Sequence, residues 1–317
     1  MSLCESPFIK DNIPCPCGKC EPCIKARKNK WKNRILFESY SHDYSSFITL
    51  TYSDDNLRFQ NPQTGEFGFP TLNPKDPQNF FKRIRKAVHP EHLRFYLCGE
   101  YGDKNWRPHY HAALFGYEPC YRGKTDKRKH SQGQSCCPPC DLLKEKWGLG
   151  AIENAPINDK TAAYIAGYIN KKLTKSTDPR LEGRFPEFQR MSNRPGLGAN
   201  AVEPIVEALF SRFGKSMLTD TGDVPHVLYQ GKKQIFLDRY IRNKIREEIG
   251  VDEKTQETSK ILYTQKLLSL YQDTLNDPDI PSNKKPYSLK DYIQKRDKQK
   301  ITNLKSQSQI YKRKTKL

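Results

Sequence analysis

The stretch GEYGDKNWRPHYHAALFG, residues 99–116, decides how this chain is read. Its N-terminal flank, LRFYLCGE (93–100), is apolar and aromatic and reads as a strand. Tyr101 to Pro108 is turn-like, and HYHAALF (109–115) reads as a second strand that returns in a hairpin. Residues i and i+2 of a strand share a face. His109 and His111 therefore present two imidazoles side by side, while Tyr110 points the other way.

Imidazole is a common ligand for divalent metals. Two histidines leave coordination positions for water, a carboxylate and a phosphate oxygen. Glu100, at the end of the preceding strand, is the natural third ligand if the two strands pair. A metal there acts as a Lewis acid on a bound phosphate. Two histidines at this spacing, taken alone, favour ordinary sheet residues with hydrogen-bonded rings. Glu100 and a helix further along the chain reverse that preference.

That helix is DKTAAYIAGYINKKL (159–173), with Asn158 or Asp159 as its cap. Tyr164 and Tyr168 are four residues apart and share one face. Lys171 and Lys172 follow at i+3 and i+4 from Tyr168. A phenol with a pKa of about 10 is a poor nucleophile at neutral pH. A nearby cation stabilises the phenolate, and attack on a phosphodiester leaves a phosphotyrosine bond and a free 3′-OH. The competing reading is that both tyrosines are core residues of an amphipathic helix.

Around these motifs, FITLTY (47–52) reads as a strand and 60–75 as a Pro- and Gly-containing loop. DPQNFFKRIRKAVH (76–89) reads as an amphipathic helix capped by Asp76, with Pro77 in its first turn. Residues 117–146 form a polar, Cys-bearing insertion, Ala151–Glu153 a short strand, and 174–200 an irregular stretch. Residues 201–213 and 232–249 look helical, as does the run from Ile24. The expected class is α+β, an antiparallel sheet flanked by helices. The expected domains are a Cys-rich basic arm (1–34), a central domain (35–215) and a helical extension with a basic tail (216–317).

Among 317 residues, 55 Lys and Arg stand against 36 Asp and Glu, a formal net charge of +19. Such an excess predicts a polyanionic partner, most often nucleic acid. From Lys284 to Leu317, ten Lys and two Arg face two Asp, so the tail reads as a mobile basic arm or a lone helix. Candidate DNA contacts are Arg27, Lys28, Lys30 and Arg107, with Trp31, Trp106 and Tyr101 as stacking platforms. Core packing is the favoured alternative for Trp31 and Trp147. No run of about 18 apolar residues spans a bilayer, and no signal-peptide pattern opens the chain. A cytoplasmic location and no membrane partner are expected.

Eight of the ten cysteines fall in two groups, Cys15/Cys17/Cys20/Cys23 and Cys120/Cys136/Cys137/Cys140. In a reducing compartment this points to metal rather than disulfides. Cys17 with Cys20, or Cys20 with Cys23, can join Cys137 and Cys140 in one structural zinc site that staples the arm to the insertion. Cys4 and Cys98 are left over, Cys98 as a small buried hydrophobe.

The strand 47–52, the glutamate and histidines of 99–116 and YIAGYINKKL (164–173) occur in the order of HUH replication initiators. The chain resembles the rolling-circle initiators of the small single-stranded DNA phages (Microviridae), most closely gokushovirus replication-associated proteins. PCGKCEPCIKARKNKW (16–31) and MSNRPGLG (191–198) look like that family's N-terminal Cys motif and post-helix motif. The resemblance covers roughly residues 14–200.

It implies that His109 and His111 bind Mg²⁺ or Mn²⁺, with Glu100 as third ligand. Tyr164 and Tyr168 would be alternating nucleophiles, with Lys171 or Lys172 assisting. The implied activity is metal-dependent, site-specific nicking and joining of single-stranded phage DNA through a phosphotyrosine, to start rolling-circle replication in the host bacterium's cytoplasm. The DNA partners would be the single-stranded and replicative forms. No Gly-x-x-x-x-Gly-Lys-Ser/Thr loop is present, so unwinding would fall to a host helicase and synthesis to a host polymerase. The rival readings are another HUH enzyme, such as a relaxase, transposase or plasmid initiator, and a non-enzymatic zinc-bearing nucleic-acid-binding protein.

Overall fold

A computed structural model of the chain describes residues 3–102, 105–168, 176–221, 223–231, 233–251 and 253–314. In chain order, β1 (Phe8–Lys10) and β2 (Ile13–Cys15) precede α1 (Glu21–Tyr40), β3 (Ser45–Thr51), α2 (Lys75–Val88), β4 (Arg94–Tyr101) and β5 (Pro108–Phe115). Next come α3 (Lys127–Ser131), α4 (Pro138–Trp147), β6 (Ile152–Pro156), α5 (Asp159–Gly167) and β7 (Phe188–Met191). The remainder is α6 (Val202–Phe210), α7 (Arg212–Thr221), β8 (Val227–Gln230), β9 (Lys233–Phe236), α8 (Arg239–Ile249), α9 (Glu253–Asn276) and α10 (Leu289–Lys314). The chain divides into two compact units, residues 28–204 and residues 1–27 with 205–317, where three consecutive parts were expected.

The unit of residues 28–204 is built on an antiparallel five-stranded sheet in the order β6-β3-β5-β4-β7. The expected hairpin forms, and Glu100 lies directly across from His109 in its register. Thr49 of β3 and Cys98 of β4 flank His111 on its two sides.

Strand alternation sorts the core into two layers. Tyr110, Ala112 and Leu114 of β5 face one way, packed with Phe80, Phe81 and Ile84 of α2 and Leu143 and Trp147 of α4. Ala113 and Phe115 face the other way, under Ile35 and Leu36 of α1 and Ala162, Ile165 and Ala166 of α5. His109 and His111 belong to this second face by register. Glu100, Cys98 and Tyr96 of β4 and Phe47 and Thr49 of β3 share it from the adjacent strands.

Several local expectations need correction. Asp76 does not cap α2, whose N-cap is Pro74. The Asp76 carboxylate instead accepts from Tyr52 Oη at 2.7 Å and Arg58 Nε at 2.9 Å, and Tyr52 is bonded to Tyr110. Residues 233–236 form a hairpin strand with β8 rather than the start of a helix, because the α8 cap is Asp238. An edge strand, β7, lies inside the stretch expected to be irregular. The basic tail is helical as α10, anchored by buried Ile293 and Ile301 and by Tyr292 against Tyr271 of α9.

Two devices hold the β3 end of the sheet. The Trp147 indole donates to the Thr51 carbonyl at 2.9 Å. Gly150, at φ +153°, lets the chain pass so close to β3 that a Cβ there would stand 2.3 Å from the Thr51 oxygen. Among the described residues, no helix is long and apolar enough to cross a membrane.

Candidate metal centre and tyrosine pair

The hairpin brings the three expected ligands together. His109 Nε2 lies 2.8 Å and His111 Nε2 3.0 Å from the same Glu100 oxygen. Glu100 and His111 are buried and His109 is half-buried. The ligand atoms of all three lie within 4.8 Å of one another.

The hydrogen bonds behind the imidazoles decide what this site can hold. His109 Nδ1 is 3.0 Å from the Arg107 carbonyl oxygen. A carbonyl only accepts, so Nδ1 carries the proton and a neutral ring directs its Nε2 lone pair at the Glu100 carboxylate. Two acceptors at 2.8 Å require a proton or a cation between them. His111 Nδ1 is 3.0 Å from Thr49 Oγ1, which orients that ring in the same manner. Burial pushes the His111 pKa below the ordinary imidazole value, against the pull of Glu100, and keeps the ring available as a neutral ligand. The donor set of two imidazoles and a carboxylate fits a divalent metal with positions left open.

The tyrosine helix reaches this centre. Asn158 caps α5, accepting from Lys160 and Thr161 while Thr161 Oγ1 accepts from its backbone N–H, a complete capping box. Apolar Ala162, Ile165 and Ala166 face the sheet and rotate Tyr164 and Tyr168 toward His111. Tyr168 lies stacked on the His111 ring with centroids 5.0 Å apart, and Tyr164 meets it edge-on at 5.2 Å. Phe47 covers a third side of that imidazole, 5.7 Å away and 14° from parallel.

Burial, the neighbouring Tyr164 hydroxyl and the Glu100 charge all push the Tyr168 pKa up, so its phenol is neutral at physiological pH. Tyr164 is half exposed. Lys171 and Lys172 lie outside the described residues.

The sequence reading missed Thr49 and Phe47, whose positions depend on the β3–β5 register, and assigned Lys28 only to DNA. Lys28 is half-buried, and its ammonium would stand 3.6 Å from a Cβ at Gly167, between the two tyrosines in sequence. Burial, then the charge of Lys32, lowers its pKa.

Of the other candidate DNA contacts, Arg27 and Lys30 are solvent-accessible, and Arg27 donates to the Gly18 carbonyl. Trp31 packs on Tyr96 with centroids 5.6 Å apart and carries the Arg34 guanidinium at 4.8 Å, so core packing claims most of it. Arg107 reaches Asp54 and the Tyr52 carbonyl. Trp106 tilts against Tyr101, which is buried and donates to the Phe185 carbonyl, so Tyr101 is not a stacking platform.

The cysteines do not form one mixed site. They form two separate groups, Cys4/Cys17/Cys20/Cys23 and Cys120/Cys136/Cys137/Cys140. Cys17 and Cys20, or Cys20 and Cys23, are therefore not joined to Cys137 and Cys140, and no staple of that kind links the arm to the insertion. Cys4 replaces Cys15, whose thiol donates to the Ile13 carbonyl. All ten cysteines are free thiols. Backbone N–H groups of Lys19 and Cys20 lower the Cys17 pKa to about 6.

Residues 45–173 match the model of a family of replication-associated proteins, the ORF2 type. The chain is 29% identical over 252 residues to replication-associated protein VP4 of Bdellovibrio phage phiMH2K, covering 78% of this chain and 74% of the relative. It is 31% identical over 180 residues to replication-associated protein ORF4 of Chlamydia phage 1, covering 53% of this chain and 40% of the relative. It is 27% identical over 281 residues to replication-associated protein ORF2 of Spiroplasma virus 4, covering 85% and 82%. No solved structure matches the chain.

Proposed function

From a chain that belongs, through residues 45–173, to the ORF2-type family of phage replication-associated proteins, we propose an HUH-type replication initiator that nicks and rejoins single-stranded phage DNA at its origin. The observation that carries this reading is the contact of both tyrosine rings with His111, one ligand of the candidate metal centre. A nucleic-acid-binding role alone gives no reason for two phenols to meet a histidine–glutamate cluster.

Glu100, His109 and His111 would hold Mg²⁺ or Mn²⁺, which when bound supplies Lewis-acid polarisation of the scissile phosphate. The chain's own residues do the rest. Thr49 and the Arg107 carbonyl hold the two imidazoles in register. One tyrosine hydroxyl attacks phosphorus, forming a phenolic P–O bond as the bond to O3′ breaks. The phenol loses its proton and O3′ gains one. The 5′ end stays on the protein, and the second tyrosine repeats the attack after a round of synthesis, so joining needs no ATP. Lys28, and Lys171 and Lys172 if α5 continues, would favour the phenolate.

The nuclease domain would span about residues 35–215, with 117–146 as an insertion and 216–317 as a helical extension. Arg27, Lys28, Lys30 and Arg107 would contact the phosphate backbone. The site of action would be the host bacterium's cytoplasm, with a host helicase and polymerase as partners.

The test is incubation of the full chain with labelled circular single-stranded phage DNA and Mg²⁺ or Mn²⁺, followed by a denaturing gel. A labelled band migrating with the protein, abolished by EDTA and by Tyr164→Phe with Tyr168→Phe, is expected. DNA binding without an adduct across both metals and origin-containing substrates would replace this reading with a non-enzymatic one.

A further inference from the structure

We propose that the chain carries two closed tetrathiolate zinc sites, Cys4/Cys17/Cys20/Cys23 and Cys120/Cys136/Cys137/Cys140, one in each compact unit. They share no ligand with the Glu100–His109–His111 centre, and the proposal does not depend on the nicking activity.

Sulfur spacing is the first argument. Zinc–thiolate bonds of about 2.3 Å in a tetrahedron place the sulfurs about 3.8 Å apart. Cys4 and Cys20 Sγ are 3.8 Å apart, Cys120 and Cys136 3.8 Å, and Cys120 and Cys137 3.7 Å. In each group all four sulfurs lie within 4.8 Å of one another. A disulfide brings two sulfurs to about 2.0 Å and leaves the other pair uncorrelated. Four sulfurs at one common spacing describe a single ion.

The donors around the sulfurs are the second argument. Cys17 Sγ accepts from the N–H groups of Lys19 at 3.5 Å and Cys20 at 3.4 Å. Cys4 Sγ accepts from the Cys17 N–H at 3.2 Å, and Cys20 Sγ from the Glu5 N–H at 3.5 Å. In the second group, Cys136 Sγ accepts from the Asp126 N–H at 3.3 Å, and Cys140 Sγ is 3.2 Å from Thr125 Oγ1. Such donors support negative charge on sulfur, and the thiolate is the zinc-binding form. Gly18, at φ +73°, makes the tight turn after Cys17 that aims those two N–H groups back at it.

The third argument is what the surrounding segments lack. Residues 121–135, YRGKTDKRKHSQGQS, contain one aromatic residue and no aliphatic one. Residues 3–20 offer only two three-residue strands. Neither can order itself by apolar burial, yet all four cysteines of the second group are buried. Four sulfurs fill every position of a tetrahedral ion, so no site remains for water or substrate, and both sites are structural. The second site fixes the start of α4, the helix whose Trp147 grips β3 at Thr51.

The test is elemental analysis of the full chain, produced with zinc in the medium and purified under reducing conditions without chelator. Two zinc per chain are expected. Cys20→Ser and Cys140→Ser should each lose one, and His109→Ala with His111→Ala should keep both. If a cysteine variant does not fold, the native protein decides: eight cysteines should resist alkylation until a chelator strips the zinc, as counted by intact mass. One zinc or none, iron in place of zinc, zinc lost with the histidines, or alkylation unaffected by chelator would overturn the proposal.

Discussion

Tyr168 lies on His111 with ring centroids 5.0 Å apart and planes 11° from parallel, while Tyr164 meets both rings edge-on, 5.2 Å from His111 and 5.0 Å from Tyr168. The two phenols are therefore not equivalent. One is half-buried against a metal-ligand candidate, and the other is half exposed at its edge. A single imidazole is the common wall of both, which suits two nucleophiles that use one centre in turn.

Separate substitutions should reveal that alternation. Tyr164→Phe and Tyr168→Phe are each expected to form the covalent DNA adduct through the remaining tyrosine. Release of a rejoined circle should fall on the order of a hundredfold or more in each, because it needs both. Quantified adduct and circle from one origin-containing substrate check this. Circle release at the native rate by either single variant would sink the alternation.

Acid lability should trace to Glu38. Its side chain is fully buried and bonds Arg94, the Gly198 N–H and His42. Burial raises its pKa, but His42, the Gly198 N–H and Arg94 outweigh burial and hold it below the ordinary value. A carboxylate depressed in the folded state stabilises the fold above its unfolded pKa of about 4.3 and loses that contribution as pH falls through the folded value. Glu38→Gln should cost about 3–5 kcal/mol at neutral pH, and the gap to the native chain should close as pH drops below about 4. Urea titrations across that range test it, and a gap constant with pH would assign the effect to packing alone.

The hairpin was legible because two local rules agree. Alternation put His109 and His111 on one face, and a short connector paired Glu100 with them. Asn158 and the apolar spacing marked α5 in the same manner. What the sequence did not disclose depends on register and distance. Thr49 meets His111 only because β3 pairs with β5 in one alignment among several. Cys4 joins Cys17 across a β-hairpin, whereas the nearer Cys15 sits within β2 and turns to its own strand. In β7, Phe188 and Met191 frame two exposed polar residues, so an edge strand looked irregular. In α10, Ile293 and Ile301 are eight residues apart on one face, too sparse a signal within so charged a run.

Gly150 should tolerate no side chain. Its φ of +153° disfavours any L-residue, and a Cβ would stand 2.3–2.6 Å from the backbone of Thr51, Tyr52 and Ser53. Because these are backbone atoms at the end of the strand bearing Thr49, no rotamer change relieves the clash. Gly150→Ala is expected to lose about 1–3 kcal/mol to conformational strain and a similar amount to overpacking. Chemical denaturation measures this directly, and native stability in that variant would mean that the β3–β6 junction is looser than its hydrogen bonds indicate.

Thr49 offers the sharpest separation of metal binding from chemistry. Its hydroxyl is 3.0 Å from His111 Nδ1, on the side of the ring away from the Nε2 that meets Glu100. Thr49→Val keeps the shape and β-propensity of the side chain but removes the hydrogen bond that turns Nε2 toward Glu100. Outer partners of ligating histidines typically contribute about 10–100-fold in metal affinity. The Mn²⁺ concentration for half-maximal nicking should therefore rise by about that factor in Thr49→Val, while the rate at saturating Mn²⁺ stays near native. Thr49→Ser, which restores the hydroxyl, should recover most of the affinity. A loss of saturated rate with unchanged metal dependence would show instead that Thr49 acts on the tyrosines or the DNA, and that His111 is oriented by its aromatic neighbours Phe47 and Tyr168.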